Sequence, residues 1–274
     1  MSERAPRRVN TDPRISRRRA AVARGKRRRA LVVAVVVVGM ILVAWTMFFS
    51  PLLEVRSIKV LGARHTSEQE VADAAGLLTE PQNLLLLPTD EVAARVETLP
   101  WVADADVDRM LPGTVRIRVE ERKPALLLSL GAARWTIDAE GNVLQTGEAV
   151  EGLPVLAGVE VGDIEPGLRL MTEEATAALE AFRGLPRNLV REVSGVFAPT
   201  VERISFSLRS GTVIRYGAAE NIHDKNEVLK VLLERLAAEG RSVAYIDVRV
   251  PTSPAVSDRP APSPSPSPSP TSGD

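Results

Sequence analysis

The chain has 274 residues, 45% of them hydrophobic, which is ordinary for a folded protein of one or two domains. Cysteine is absent, and this excludes disulfides, thiolate metal sites and a cysteine nucleophile. The formal charge is zero, but residues 1–29 hold twelve basic residues against two acidic ones, while residues 30–274 hold 23 basic and 33 acidic residues. Such a division indicates that the two parts lie in different compartments.

The first predicted element is a membrane-spanning helix over residues 30–49. These twenty residues carry no charge, and as a helix they would extend about 30 Å, the hydrocarbon thickness of a bilayer. The alternative is a cleaved signal peptide, whose apolar run is usually about 7 to 15 residues long and ends in small residues. Because this run ends in Phe48 and Phe49, we expect an uncleaved anchor.

Charged residues on either side of this helix predict its orientation. The basic run 26–29 precedes it, whereas Glu54 and Arg56 are the nearest charges that follow. The positive-inside rule therefore predicts a single-pass type II plasma-membrane protein, with residues 1–29 as a basic cytoplasmic arm and the main domain outside. Basic arms also bind nucleic acid, but this one has no aromatic residues to stack on bases, so we expect no nucleic-acid partner.

A β-α-α-β-β module is predicted to begin after the anchor and to cover residues 52–124. Residues 54–60 form the first predicted strand. Ser67, with Glu70 three residues later, is a capping box that predicts the start of a short helix. A second helix follows and is expected to stop at Pro100.

Two strands complete this module. Apolar residues alternate with aspartates over 101–108, and with arginines and other polar residues over 114–120. This period of two is typical of strands with one buried face. The intervening sequence 111–113, Leu-Pro-Gly, favours a turn. We expect the aspartates of one strand to pair with the arginines of the other across the hairpin.

This order of elements and these residues resemble a POTRA domain of the FtsQ/DivIB cell-division family, of the actinobacterial type. The similarity lies in residues 99–124, LPWVADADVDRMLPGTVRIRVEERKP, and in residues 83–92, NLLLLPTDEV. Several coincident positions make the match specific. The signature positions, which we expect to have structural roles, are Trp101, Arg109, Pro112, Gly113, Glu121, Arg122 and Pro124.

Residues 125–251 predict a second module, a mostly antiparallel β domain with helices, so that the whole fold class is α+β. One helix is expected near 172–182 and another from Asp224, which forms a capping box with Glu227. Residues 252–274, rich in Pro and Ser, are predicted to form a disordered tail. Short strands divided by turn signals are expected at 126–130, 133–137, 143–145, 192–197, 203–208, 213–216 and 243–250.

The resemblance also implies a site for partner proteins. In the FtsQ/DivIB family the last strands offer an edge to which FtsB, usually in complex with FtsL, adds a strand by main-chain hydrogen bonding. The residues implied are Val243, Tyr245, Ile246, Asp247, Val248 and Arg249. From the residues alone, the same segment also fits an ordinary sheet strand with a buried tyrosine.

Nothing in the sequence points to catalysis. His65 lies in a predicted loop and His223 at a predicted helix start, and the sequence spacing indicates no catalytic partner for either. No nucleophile, phosphate-binding or zinc motif is present. We therefore predict no enzyme activity, cofactor, metal or small-molecule substrate.

The resemblance implies the function. It indicates a scaffold of the cell-division machinery that binds membrane division proteins at the septum and helps control septal peptidoglycan synthesis. The alternative is a membrane-anchored envelope hydrolase or the regulator of one.

Overall fold

The structure, a computed structural model, describes residues 29–43, 45, 53–77 and 82–259. The basic arm 1–28 and residues 260–274 lie outside the described residues, and their predictions stay predictions. Two compact units are present. One contains the described residues up to Lys59, with Gly76–Thr89 and Asp108–Arg116; the other contains Val60–Ala75, Asp90–Val107 and the described residues from Ile117 onward.

Residues 29–43 form helix α1. Its residues beyond Arg29 are uncharged, and all but Gly39 are exposed. The predicted span 30–49 extends into residues 44 and 46–49, which lie outside the described residues. In the part of the chain that the structure describes, no helix is both long and apolar enough to cross a bilayer.

The five elements that follow confirm the predicted β-α-α-β-β order. Their strands form a three-stranded sheet with the order β1-β3-β2, so the last strand in the sequence is the central one. The elements are β1 (Ser57–Leu61), α2 (Glu68–Ala75), α3 (Thr89–Val96), β2 (Val102–Met110) and β3 (Thr114–Glu121).

Local hydrogen bonds explain where α2 begins and ends. The predicted capping box forms, because the Ser67 backbone N–H donates to Glu70 Oε2 at 2.7 Å and the Glu70 N–H donates to Ser67 Oγ at 3.1 Å. The hydrogen bonds from the Ser67 backbone and hydroxyl hold the pKa of Glu70 below its ordinary value. At the other end, Nε and Nη2 of Arg95 donate to the Ala75 carbonyl at 3.2 and 2.7 Å.

Strands β2 and β3 form the predicted hairpin, and its outer faces carry opposite charges. Arg116 Nη1 lies 3.7 Å from Asp108 Oδ2. Arg118 pairs with Asp106 in the same way one step along the strands. Such exposed cross-strand pairs each stabilise a hairpin by about 0.2–1 kcal/mol.

The second half of the chain forms one nine-stranded sheet, in the order β12-β11-β10-β9-β8-β7-β4-β5-β6. Most neighbouring strands are antiparallel, as predicted, but β4/β7, β7/β8 and β10/β11 are parallel. The strands are β4 (Pro124–Leu130), β5 (Ala133–Asp138), β6 (Val143–Thr146), β7 (Val155–Ala157), β8 (Val193–Phe197), β9 (Ile204–Leu208), β10 (Val213–Gly217), β11 (Tyr245–Asp247) and β12 (Ala255–Ser257).

Three helices accompany this sheet: α4 (Glu173–Gly184), α5 (Arg187–Glu192) and α6 (Ile222–Ala238). Helix α4 begins after Thr172, whose hydroxyl accepts from the Ala175 N–H at 3.4 Å, and it packs against β8 and β9. Leu229 and Leu236 of α6 share the same hydrophobic core as the sheet. This core buries one face of the strands.

The predicted start of α6 is wrong. We expected a capping box of Asp224 with Glu227, but the helix begins at Ile222 and Asn221 occupies the N-cap in a left-handed conformation with φ 49°. Asparagine tolerates that conformation better than most residues, so the helix starts earlier and Asp224 lies in its first turn. The helix ends at Ala238, and Gly240 follows its C-cap with φ 59°.

The C-terminal prediction also requires correction. The predicted strand 243–250 is reduced to β11, and residues 252–259, predicted as part of a disordered tail, contain β12. The chain turns back at 250–253, where the Ser253 N–H donates to the Val250 carbonyl at 3.0 Å. Strand β12 then pairs antiparallel with β11, and its Val256 packs against the core. Two adjacent apolar residues, Ala255 and Val256, are enough in this Pro/Ser-rich segment because a neighbouring strand supplies the hydrogen bonds.

Candidate partner-binding surface

Strands β8 to β12 have one buried face and one face that is half-buried or exposed, which we call the open face. Their residues lie in rows across the sheet, and alternate rows point to opposite faces. The row that packs on the core consists of Val196, Phe206, Ile214, Ile246 and Val256. The open face consists of Phe197, Ser205, Arg215, Asp247, Ala255, Gly195, Ser207, Val213, Tyr245 and Ser257.

Three of the six residues predicted to bind a partner are buried. Val243, Ile246 and Val248 belong to the hydrophobic core. The Val243 carbonyl accepts a hydrogen bond from the buried Thr212 hydroxyl at 2.8 Å, and the Val248 N–H donates to the Arg215 carbonyl at 3.0 Å. These three residues hold β11 in the sheet, so their direct contact with a partner is not supported.

The other three predicted residues, Tyr245, Asp247 and Arg249, are not in the core. Tyr245 and Asp247 lie on the open face, and Arg249 reaches back to Asp247 with Nε 3.0 Å from Oδ1 and Nη2 2.7 Å from Oδ2. The Arg215 guanidinium lies 4.6 Å above the centre of the Tyr245 ring, at a distance suited to a cation–π contact. The face is therefore ordered by ion pairing and stacking.

The contacts between Asp247, Arg249 and Arg215 also determine the ionisation of these side chains. Burial would raise the pKa of Asp247, but the hydrogen bonds from Arg249 and the nearby charges of Arg249 and Arg215 lower it below its ordinary value. Hydrogen bonding and attraction to Asp247 raise the pKa of Arg249 further. Asp247 therefore stays ionised and positions Arg249 at neutral pH.

A cavity of about 320 Å³ opens on this face. Its lining includes Phe197, which is 50% exposed, and the three arginines Arg203, Arg215 and Arg249. A cavity that combines an exposed aromatic ring with three guanidinium groups and the one carboxylate of Glu202 is suited to an apolar side chain that is followed or preceded by a carboxylate. Sequence patterns did not reveal this cavity, because its residues come from separate strands.

The two edges of the nine-stranded sheet differ. At β6, residues 167–170 cover the start of the edge strand: the Val143 N–H donates to the Leu168 carbonyl and the Gly167 N–H donates to the Val143 carbonyl, both at 2.8 Å. At β12, none of the described residues pairs with the outer side of the strand. The prediction that the 243–250 strand forms the edge is wrong, since β11 lies between β10 and β12.

Strand β12 is fixed at its end by an ion pair. Arg241 Nη2 lies 3.0 and 2.9 Å from the two carboxylate oxygens of Asp258. The Ala244 N–H donates to the Ser257 carbonyl at 2.8 Å. An ordered strand with an unpaired side is the arrangement that accepts an added strand.

The signature residue Glu121 organises the loop before α2. Its Oε1 accepts from the backbone N–H groups of Arg64, His65 and Thr66 at 2.7, 2.8 and 3.0 Å, and its Oε2 lies 2.9 Å from His65 Nδ1. Burial would raise the pKa of Glu121, but these hydrogen bonds outweigh it and lower the pKa to about 2. The imidazole of His65 also stacks on the ring of Trp101, with centroids 4.1 Å apart.

The other signature residues also make internal contacts. Arg109 Nη2 donates to the Leu87 carbonyl at 2.6 Å. Arg122 Nη1 lies 3.3 Å from the buried Asp138 Oδ2. A Cβ at Gly113 would lie 2.6 Å from the Glu54 carbonyl oxygen, so only glycine fits.

The two prolines of the signature lie at boundaries of strands. Pro112 is exposed in the turn between β2 and β3. Pro124 begins β4, where it pairs with Asp138 of β5. The seven signature residues therefore lie within the fold or at its turns and are not grouped on the open face.

Neither histidine belongs to a reactive cluster. His223 is exposed in the first turn of α6, and His65 is engaged with Glu121 and Trp101. Across the described ranges, no group of three His, Asp or Glu side chains could hold a metal ion.

Comparison with known proteins identifies the family of this chain. Residues 53–122 match the POTRA domain of FtsQ type. Over 210 residues the chain is 30% identical to the cell division protein FtsQ of Corynebacterium glutamicum, an alignment that covers 77% of this chain and 92% of that protein. The chain belongs to the FtsQ family.

Further FtsQ proteins are similar over most of the chain. The cell division protein FtsQ of Mycobacterium tuberculosis is 30% identical over 235 residues, which are 86% of this chain and 70% of that protein. The one from Chloroflexus aurantiacus is 27% identical over 264 residues, which are 93% of this chain and 92% of that protein. The family predicted from residues 99–124 is thus confirmed, and these FtsQ relatives support a role in cell division.

Proposed function

We propose that this FtsQ-family protein is a division scaffold that receives a strand of a partner protein at β12. The partner is the FtsB protein, in complex with FtsL, that the family resemblance implies. The observation that carries the proposal is the asymmetry of the nine-stranded sheet, which is covered at β6 and unpaired at β12 within the described residues. On the open face, Tyr245 and Asp247 lie on the strand next to that edge and Arg215 lies one strand further in, and these side chains supply side-chain specificity.

Two truncated chains test this proposal. One ends at Pro254 and lacks β12, and the other ends at Arg259 and keeps it. We expect the first to lose FtsB–FtsL binding and to leave cells without septa, and the second to bind and divide normally. Equal binding by both chains, measured by titration of the purified full-length and truncated proteins, would exclude β12 as the receiving edge.

We further propose that residues 30–49 anchor the chain in the plasma membrane with the N-terminus in the cytoplasm. Helix α1 supports this, because its apolar side chains are exposed to the surroundings and not packed into a core. The basic residues that precede α1 in the sequence favour the cytoplasmic side. The modules 52–124 and 125–251 then act outside the cytoplasm, at the division septum, where partner binding helps control septal peptidoglycan synthesis.

No observation favours the alternative of an envelope hydrolase. The one serine in the open-face cavity, Ser205, directs its hydroxyl to the Phe197 carbonyl at 3.5 Å, and no described histidine lines the cavity. Partner binding without catalysis is therefore the function that we propose.

A further inference from the structure

The first described residues of the folded part are held from both sides. On one side, the Leu84 N–H donates to the Leu53 carbonyl at 2.7 Å and the Val55 N–H donates to the Gln82 carbonyl at 3.0 Å. On the other side, the Arg56 N–H donates to the Gly113 carbonyl at 2.8 Å. The segment 53–56 therefore runs between the 82–87 loop and the β2–β3 turn.

Both flanking loops expose leucines. In the 82–87 loop, Leu84 and Leu87 are buried while Leu85 and Leu86 are 38% and 63% exposed. In the β2–β3 turn, Leu111 is 67% exposed. Isolated exposed leucines are common on soluble proteins, but these three lie in the two loops that border the segment where the folded part begins. We call Leu85, Leu86 and Leu111 the leucine collar.

Hydrogen bonds fix the collar in place. The Leu85 N–H donates to Asn83 Oδ1 at 2.9 Å, and the Leu86 N–H donates to the Asn83 carbonyl at 3.1 Å. Arg109, from the end of β2, donates to the Leu87 carbonyl at 2.6 Å and so joins the two loops. The leucines are thus presented by an ordered surface.

The covalent chain limits how far this surface can lie from α1. Leu53 is four positions after position 49, the end of the apolar run. A chain extends at most about 3.3–3.6 Å per residue, so Leu53 lies within about 14 Å of that end. The polar interfacial zone of a bilayer is about 5–8 Å thick on each side, which brings the neighbouring loops within reach of the membrane surface.

We propose that the leucine collar inserts into the outer leaflet of the bilayer that holds α1. This inference rests on the membrane anchoring in the proposed function. The occupant is lipid, because the tether keeps the collar close to lipid in every copy of the protein, and leucine side chains are favoured at the boundary between headgroups and acyl chains. Insertion at several points would fix the orientation of this loop surface on the membrane.

The absence of cysteine makes the test direct, because a single introduced cysteine carries the only label. Four variants of the full chain are prepared, with cysteine at Val38 of α1, Leu86, Leu111 or the exposed Val231 of α6. Each is spin-labelled and reconstituted in vesicles of phosphatidylethanolamine and phosphatidylglycerol. Collision rates with oxygen and with a water-soluble nickel complex then report whether each label lies in lipid or in water.

We expect lipid-like values at positions 38, 86 and 111 and water-like values at 231. Water-like values at 86 and 111 together with a lipid-like value at 38 would overturn the collar and leave the anchor intact. A water-like value at 38 would overturn the anchor and the collar with it.

A second variant tests whether the leucines themselves cause insertion. Leu86→Asp in the chain labelled at 111 is expected to raise the collision rate with nickel at least twofold, whereas Val231→Asp in the same labelled chain leaves it unchanged. Because Leu86 is exposed, its replacement preserves the fold, which circular dichroism verifies. An unchanged collision rate in Leu86→Asp would contradict insertion.

Discussion

Glu121 joins two distant parts of the first module through a single carboxylate. Three backbone N–H groups of the loop before α2 and the ring of His65 converge on it. Charged hydrogen bonds of this kind are stronger than neutral ones. Loss of this charge would therefore leave several donors with a weaker acceptor.

Glu121→Gln is expected to lower the free energy of unfolding by about 1–3 kcal/mol, since a neutral amide replaces a charged acceptor. Glu120→Gln, at the exposed neighbouring position, is the control and should change little. Because the folded pKa of about 2 lies below the ordinary 4.5, the contribution is present above pH 4.5 and is lost as the pH falls from there toward 2. Urea unfolding across this range should show a steeper dependence of stability on pH in the original chain than in Glu121→Gln, in which Glu70 and Asp247 still have lowered pKa values.

Tyr245 is the open-face residue best suited to act as an anchor for a partner. Tyr245→Ala is expected to weaken FtsB–FtsL binding at least fivefold, because interface tyrosines commonly contribute more than about 1 kcal/mol. Tyr245→Phe keeps the ring that stacks with Arg215 and should retain most of the affinity. Unchanged affinity of Tyr245→Ala in titration calorimetry would remove Tyr245 from the interface.

Val248→Pro is not a useful test of the same interface. Val248 is fully buried and its N–H is hydrogen-bonded to Arg215, so proline would disturb the sheet itself.

At the scale of elements, the short strand β12 depends on few contacts. Its end is held by the exposed ion pair of Arg241 with Asp258, and hydrogen bonding to Asp258 raises the pKa of Arg241. Exposed ion pairs contribute little individually, but a strand of three residues has little else to restrain its end.

Arg241→Ala is expected to speed hydrogen exchange in residues 244–257 by about two- to fivefold, because the end of β12 opens more often. Arg235→Ala removes a comparable exposed pair, with Glu239 of α6, and serves as the control. The exchange rates of residues 244–257 are measured by mass spectrometry. Equal rates in the two variants would show that the ion pair does not restrain β12.

Sequence reasoning predicted those elements whose signals are local. The Ser67–Glu70 capping box and the alternation in β2 and β3 depend on residues within one or two turns of each other, and both are confirmed. Strand β12 was missed because a Pro/Ser-rich segment with only Ala255 and Val256 as apolar residues has no periodic pattern of its own. Its pairing comes from β11, and only the folded sheet shows that.

Long-range contacts explain the remaining differences. His65 and Glu121 are 56 positions apart, so spacing could not nominate them as partners. The open-face cavity draws on β8, β9, β10 and the residues after β11, which become neighbours only through the strand order of the sheet. The family resemblance was more informative than periodicity here, because it pointed to the C-terminal strands, although it did not distinguish β11 from β12.

On the scale of the whole molecule, the proposed arrangement separates a basic cytoplasmic arm from the folded modules outside. A reporter enzyme that works only outside the cytoplasm, fused after Asp274, is expected to be active. The same reporter fused before Met1 should be inactive, because the basic flank keeps the N-terminus inside. If only the N-terminal fusion is active, the chain has the opposite orientation to the one proposed.

A sheet that can accept a further strand at both of its edges can link one protein copy to the next without limit, as happens in fibrils. Here residues 167–170 cover the start of β6 at one border, and among the described residues nothing pairs with the outer side of β12 at the other. A single incoming strand satisfies the β12 border and ends growth there. Assembly through β12 is therefore self-terminating: each copy accepts one guest strand there, or pairs once with a sister copy.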